Sequence, residues 1–490
     1  MSGFSEPLER RVLLASAHLA AISDYGYSGE AELAVANLVK SWDTPTQPLD
    51  AIFTCGDNDQ FRCTPDTIDV NIGQYYHEYI FNYQGTYGAG SPTRRFYPAP
   101  GNHDWGNSVN PRGLDTYLAY FDLPGNERYY DVVIGPVHLF AIDSDVNEPD
   151  GNTSTSVQAQ WLQSQLAAST APWNIVYFHH TPYSSIGSVA NMRWPFREWG
   201  ADAVFSGHFH TYERLNIGGL TYFVIGTGGA PLSGIGTPIA GSQFRCSEYG
   251  AMRIDADDAH ITFQFINRNG VVRDTYTMSL PVVTIAAADA SAAEMGSDPG
   301  TFVVTRTGDT VNELRVRYAL SGSATPGVDY PALSGTVVIP AGASSASFSL
   351  VPIDDDLAEG EEYAVCTLLS DPAYVVGGGP ATIAIADHNK SPMAPGNLRA
   401  TPVSLTRINL TWADNSTTEK GFRIEISTDG QDFTTLGTVG ANVTAYSASG
   451  LRAGVLYYFR VLAVDDVWGD SASSNIVSAK TGKLPASPYL

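Results

Sequence analysis

Two histidines, His208 and His210, stand in the string Gly207-His208-Phe209-His210-Thr211-Tyr212-Glu213-Arg214, just after the run Ala201-Asp202-Ala203-Val204-Phe205-Ser206. In extended chain, residues two apart point the same way. The two imidazoles can therefore grip a pair of metal ions, with Gly207 letting the backbone turn close to them. A lone His-x-His is commonplace on surfaces, and its meaning here comes from four other stretches. Asp24 follows Leu19-Ala20-Ala21-Ile22-Ser23, and Asp57 follows Ala51-Ile52-Phe53-Thr54-Cys55-Gly56. Asn102 and His103 follow Phe96-Tyr97-Pro98-Ala99-Pro100-Gly101, and His179 and His180 follow Asn174-Ile175-Val176-Tyr177-Phe178. Each reads as a strand with polar residues at its carboxyl end, the edge of an open α/β sheet where ligands bind. Five of the ten histidines fall inside these motifs, a concentration that random placement does not favour. A mixture of oxygen and imidazole donors suits iron, zinc or manganese without choosing among them.

The order Asp-x-Gly, Gly-Asp-Asn, Gly-Asn-His-Asp, Val-x-x-His, Gly-His-x-His-x-Tyr-Glu-Arg resembles that of the calcineurin-like metallophosphoesterases. Within them it is most similar to the purple-acid-phosphatase-like branch, and the likeness covers roughly residues 16–280. It implies two sheets packed face to face, flanked by helices, holding two metal ions, and hydrolysis of phosphate esters by attack of a metal-bound hydroxide. Carried over position by position, Asp57 is the shared carboxylate, with one oxygen on each ion. Asp24 and His210 hold the first ion, and Asn102, His179 and His208 hold the second. A bridging anion offsets the repulsion between cations ~3.5–4 Å apart. His103 points at the substrate, to stabilise phosphate oxygens or protonate the leaving alkoxide. Of the adjacent pair, only one histidine can reach the ion from an extended strand. The Val176-x-x-His179 spacing selects His179, leaving His180 to hydrogen-bond neighbouring backbone.

The resemblance has gaps. The purple branch places a tyrosine ligand three residues after the shared aspartate, where Gln60 stands here. Other branches place a histidine two residues after the first aspartate, where Gly26 stands. The expectation is a colourless enzyme with a looser first metal, Asp59 or Tyr27 being the residues able to stand in. Trp105 and Tyr183 either shape the pocket or pack beneath it, whereas Tyr212 and Arg214 read as packing. Cys55 and Cys63 flank the Asp57 loop and either form a disulfide or remain two thiols; Cys246 and Cys366 read as unpaired.

Positioning these residues takes a fold of some size. Helical patterns run from Glu30 to Trp42, Thr67 to Asn82 and Ser156 to Ala168. Strands run from Val132 to Ser144, split at Gly135-Pro136, and 251–265 with 271–278 reads as a hairpin. Strand–helix alternation followed by hairpins gives the fold class α/β, a two-sheet sandwich flanked by helices. At 490 residues the chain holds about three domains. The division is a leader-like segment 1–15, a catalytic domain 16–280, a β-sandwich 281–389, a linker 390–396, a second β-sandwich 397–482 and a tail 483–490.

The first sandwich resembles a Calx-β module through Gly327-Val328-Asp329-Tyr330, Val337-Val338-Ile339-Pro340-Ala341-Gly342, Ile353-Asp354-Asp355-Asp356 and Ile385-Ala386-Asp387. Some members bind calcium, for which Glu294, Asp329, Asp355, Glu359 and Asp387 are the candidates here. The last motif carries a single aspartate where binding members have several, which favours a solvated acidic loop. The second sandwich resembles a fibronectin type III module, with Trp412 in its core and Leu451 and Tyr457 at its tyrosine corner.

The balance of 27 basic to 51 acidic residues, a formal −24, argues against a nucleic-acid surface, which needs basic patches. A small phosphate ester remains an acceptable substrate, because metal ions set the local field. No apolar run of about 18 residues offers a membrane span. The start, Phe4 to Ser16, resembles the Leu-Glu-Pro-Arg-x-Leu-Leu leaders of large secreted bacterial proteins. Together with the accessory modules, it predicts a secreted or cell-surface protein whose C-terminal modules contact matrix or polysaccharide. The functional expectation is an acid-phosphatase-like monoesterase. The alternatives are a phosphodiesterase or nucleotidase, or a non-catalytic extracellular scaffold with a degenerate metal site.

Overall fold

The computed structural model describes residues 15–61, 63–106, 113–354, 360–387, 392–466 and 469–482. The leader-like segment apart from Ala15, the first two residues of the short linker, the 483–490 tail, Asp355 and Glu359 lie outside the described residues. The chain divides into two compact units at 281/282, with 371–375 grouped with the first.

Among its described residues the first unit holds thirteen strands. They are β1 (Ser16–Ile22), β2 (Ala51–Cys55), β3 (Phe96–Ala99), β4 (Tyr130–Ile134), β5 (Val137–Ala141), β6 (Trp173–Phe178) and β7 (Ala203–Ser206). After these come β8 (Tyr212–Ile217), β9 (Leu220–Ile225), β10 (Ser242–Cys246), β11 (Gly250–Asp257), β12 (His260–Asn267) and β13 (Val272–Ser279). One sheet runs β13-β12-β11-β1-β2-β3 and the other β10-β8-β9-β7-β6-β5-β4. Strands β1, β2 and β3 pair in parallel, as do β5, β6, β7 and β9. Their carboxyl ends therefore gather at one edge of each sheet.

Alternation along β6 shows why the sheets pack. Trp173, Ile175 and Tyr177 join the core cluster shared with Leu19 and Phe53 of the first sheet, whereas Val176 and Phe178 join Leu162 and Leu166 of the helix Val157–Ala168. Phe53 sits 4.8 Å from Tyr177 and 5.3 Å from Phe205, ring to ring, across the interface. One strand thus serves two cores by its period of two.

The helix Glu30–Trp42 coincides with its expected span. The one expected from 67 to 82 breaks into three turns of different pitch, Asp69–Gly73, Gln74–Tyr76 and His77–Tyr79. Residues 250–279 form three antiparallel strands, one more than the expected hairpin. All four cysteines are buried free thiols, so Cys55 and Cys63 form no disulfide.

In the second unit, residues 282–387 form a four-stranded and a five-stranded sheet. Residues 396–480 form a three-stranded and a four-stranded sheet with Trp412 and Phe422 in the core. The Tyr457 hydroxyl accepts from the Arg452 backbone N–H at 3.0 Å, closing the corner. Glu294 and Asp329 are each 3 % exposed, which overturns the solvated loop expected for them.

Candidate metal centre

Five loops at the carboxyl edges of β1, β2, β3, β6 and β7 bring the expected residues together. Three of them, Asp24, Asp57 and His208, sit at positive φ of 53°, 50° and 66°. Backbone of this kind is sparsely populated by side-chain-bearing residues and clusters where a site must be built. Three glycines make room. A Cβ on Gly101 would lie 2.2 Å from the Asp57 backbone nitrogen, one on Gly207 2.0 Å from Ser23 Oγ, and one on Gly56 2.7 Å from His179 Cβ.

Four donor atoms converge. His179 Nε2 is 3.0 Å from Asn102 Oδ1 and 3.2 Å from Asp57 Oδ2, and His208 Nδ1 is 3.1 Å from Asn102 Oδ1 and 3.2 Å from His179 Nε2. His179 Nδ1 lies 3.0 Å from the Cys55 carbonyl, so in the neutral ring its proton goes there and the Nε2 lone pair faces the cluster. Asp57 Oδ2 and Asn102 Oδ1 are also acceptors, so with His179 neutral these lone pairs converge without a proton between them. Donors about 3 Å apart are spaced as ligands of one ion held at about 2.0–2.2 Å.

Beside them, His210 Nε2 is 3.2 Å from Asp24 Oδ1, while His210 Nδ1 is 2.8 Å from the Pro231 carbonyl. Asp24 Oδ2 is committed elsewhere, accepting from Ser23 Oγ at 2.7 Å and the His208 N–H at 3.0 Å. Ligand atoms of Asp24, Asp57 and His179 all lie within 4.8 Å of one another. The structure thus brings together Asp24, Asp57, Asn102, His179, His208 and His210. Asp57 Oδ1 accepts the His103 N–H at 2.9 Å, and Oδ2 is the oxygen that faces both His179 and Gln60.

Electrostatics show what the site lacks. Asp24 and Asp57 are buried, and their ion-pair partners among the described residues are histidines alone. Burial opposes charge on His179, yet Asp57 pushes its pKa up to about 10. Against its own burial, Asp57 is held well below the usual carboxylate range by His179 and His103. Burial and the charge of His179 push His208 down to about 4. The pattern calls for positive charge beside the carboxylates, which a proton on His179 partly supplies and metal ions would supply better. The donor set fits a bound metal cation.

The sequence alternatives sort out by contact. His180 lies on the helix-facing parity of β6, with Nδ1 2.9 Å from Ser144 Oγ, outside the donor cluster. Burial and the neighbouring His179 and His208 push it down to about 3. Its partner is the Ser144 side chain where backbone was expected. Asp59 accepts from Asn71 Nδ2 at 2.7 Å and the Phe61 N–H at 3.0 Å, and Tyr27 stacks on Phe61, so both are engaged away from the donors. Gln60 places Nε2 3.4 Å from both Asp24 Oδ1 and Asp57 Oδ2. His103 stands half exposed at the rim, Nε2 3.8 Å from Asp57 Oδ2. Trp105 donates to buried Asp143 at 2.9 Å, and Tyr183 packs on Tyr222 beneath Arg193. Tyr212 and Arg214 both bind Asp274.

Sequence reasoning missed Asp104. Its buried carboxylate accepts from the N–H groups of Gly101, Asn58 and Asp59 and from Asn58 Nδ2, tying the Asp57 loop to the Asn102 loop. Burial and Asp57 push its pKa up to about 7 against those bonds. The signal was present in its place after Asn102 and His103, but no spacing rule links it to Asn58.

Comparison with known proteins agrees with this geometry. Residues 18–212 match the calcineurin-like phosphoesterase family and residues 393–480 the fibronectin type III domain. Purple acid phosphatase 15 of Arabidopsis thaliana is 29 % identical over 154 residues, 26 % of this chain and 28 % of its own length. The acid phosphatase of Aspergillus ficuum is 29 % identical over 171 residues, 32 % and 26 % of the two chains. This chain thus spans about a quarter of the length of those relatives. Among solved structures, CBD12 from CALX1.2 aligns over 38 % of this chain and 83 % of its own, at 17 % identity and a TM-score of 0.22.

Proposed function

We propose that the chain, with its calcineurin-like phosphoesterase domain at residues 18–212, is a secreted or cell-surface binuclear phosphoesterase acting on phosphate monoesters. The observation that carries this reading is the group of donors of Asp57, Asn102, His179 and His208 spaced 3.0–3.2 Å apart, beside carboxylates whose ion-pair partners among the described residues are histidines alone. Two cations held there would lower the pKa of a water and polarise the phosphoryl group. Asp57, Asn102, His179 and His208 would hold one, and Asp24, His210 and Asp57 the other, with iron, zinc and manganese all compatible.

The chain's own contribution is positioning. Asp104 locks the Asp57 and Asn102 loops together, and the His179 and His210 rings are oriented through the Cys55 and Pro231 carbonyls. His103, at the rim with its backbone N–H fixed on Asp57 Oδ1, can donate to phosphate oxygens or to the departing alkoxide. General acid catalysis of that kind contributes about 10²–10⁴-fold. A phosphodiesterase or nucleotidase would use the same centre with different walls.

Gln60 favours the second reading, a non-catalytic scaffold, because its amide nitrogen faces the two carboxylates where a ligand is expected. Assays with p-nitrophenyl phosphate and bis-p-nitrophenyl phosphate across added manganese, zinc and iron decide between the readings. Turnover of the monoester supports the first, preference for the diester makes it a phosphodiesterase, and inertness towards both supports the scaffold. In the first sandwich, Asp329 Oδ1 is buried without a hydrogen bond among the described residues, which leaves it available as an oxygen ligand for calcium in this reading. Contact with matrix or polysaccharide belongs to the two sandwiches in this reading.

A further inference from the structure

The loops that carry Asp24 and Asp57 also carry Tyr27 and Phe61, whose rings stack with centroids 5.0 Å apart and planes 28° apart. They are 39 % and 46 % exposed, although Tyr25, Asn58, Asp59 and Gln60 beside them are buried. Single exposed aromatics are ordinary; a stacked pair on two ligand-bearing loops is not. Nor are the rings on slack backbone. Buried Glu32 accepts the N–H groups of Tyr27 and Ser28 at 3.1 and 2.7 Å. Buried Asp59 accepts the Phe61 N–H at 3.0 Å, and the Gln60 N–H donates to the Gly26 carbonyl at 2.9 Å. A Cβ on Gly26 would stand 1.8 Å from the Asn58 carbonyl oxygen, so only glycine lets the two loops close together. Tyr27 follows Asp24 by three residues and Phe61 follows Asp57 by four, which keeps them within about 11 and 14 Å even for extended chain.

We propose that Tyr27 and Phe61 form a stacking platform for an aromatic group on the phosphate ester, so that the site favours aryl- or nucleobase-bearing monoesters over alkyl ones. The inference rests on the phosphoesterase reading above. Two buried carboxylates hold the backbone beneath rings that contribute little to the core, an arrangement that suits a ligand-binding surface. Aromatic faces accept any flat π-system, and binding remote from phosphorus can be turned to positioning at the reacting centre. The platform occupies the side of the site where the tyrosine and histidine ligands of related branches are missing.

The test compares kcat/KM of the metal-loaded full chain for adenosine 5′-monophosphate and ribose 5-phosphate, which share a primary alkoxide leaving group and differ by the base. Benzyl phosphate against cyclohexylmethyl phosphate forms the aryl arm. Base–aromatic stacking predicts a preference of about 5- to 100-fold for the aromatic ester. That ratio should fall towards one in the Tyr27→Leu, Phe61→Leu double variant and persist in Tyr27→Phe. A preference in the nucleotide arm alone makes the ligand a base, and a preference in both arms makes it any aromatic group. Equal kcat/KM values within both pairs, or a ratio indifferent to the leucines, overturn the platform. Should none of the four monoesters be hydrolysed, the monoesterase reading fails. Saturation transfer from protein to adenine protons then decides the platform: transfer lost in the double variant supports it, and no transfer overturns it.

Discussion

At the level of single residues, the centre depends on which face of a strand each side chain takes. His179 shares parity with Ile175 and Tyr177, which face the opposite sheet, and His180 shares it with Val176 and Phe178, which face helices. His179→Ala should therefore cost a metal ion, while His180→Ala should leave metal content intact, as read by elemental analysis of both variants. Equal losses would mean that the parity argument is wrong. Protonation offers a second check. The His179 pKa is raised from 6.5 to about 10 in the metal-free chain. A raised histidine pKa stabilises the fold fully below about pH 6.5, and that stabilisation is lost as pH rises through about 10. Melting temperatures of chelator-treated protein should fall across that window, and added zinc should flatten the fall by replacing the proton. A pH dependence indifferent to zinc would contradict the assignment. The candidate ligands were readable in the sequence because each lies within four residues of the carboxyl end of a strand. The clamps were not: Asp104, Glu32 and Asp59 act across loops, and contacts between loops leave no period to detect.

At the level of elements, glycines fix how closely the ligand loops approach. Gly207 is the sharpest case, because a Cβ there would press on Ser23 Oγ at 2.0 Å and Asp24 Oδ2 at 2.4 Å. Gly207→Ala should lower stability by about 1–3 kcal/mol through overpacking and displace Asp24. Thermal melts and metal analysis should change together; a melt shift with full metal content would confine the glycine to packing. The helix Glu30–Trp42 was legible because its apolar face repeats at helical period and its ends are polar. The 67–82 stretch has the same apolar period but breaks at Gly73, where a Cβ would meet Asp69 Oδ1 at 2.1 Å and Tyr120 Oη at 2.5 Å. Tyr83 and Tyr120 both donate to Asp69, and these tertiary bonds override local helix propensity. Strand–helix alternation still identified the two-sheet architecture, since period two and period 3.6 are distinct signals.

For the whole molecule, composition bounded more than it specified. A net charge of −24 disfavours a nucleic-acid surface yet leaves the substrate to a local centre. The change to short alternating strands after 281 marked the second unit, whereas its buried acids were read as solvated because sequence does not report burial. If Glu294, Asp329 and Asp387 hold calcium, millimolar calcium should raise the melting transition of the full chain, by about 2.7 kcal/mol of added stability at a hundredfold excess over Kd. Asp329→Asn should abolish the rise while leaving ester hydrolysis unchanged; an unchanged melt in the parent chain would remove calcium from the account. The central claim is the binuclear centre, and metal stoichiometry of the purified chain beside its Asp57→Ala variant tests it most directly. Two ions per parent chain, with metal and turnover both lost in the variant, is the result expected. One ion or none in the parent, under every metal supplied, would contradict it.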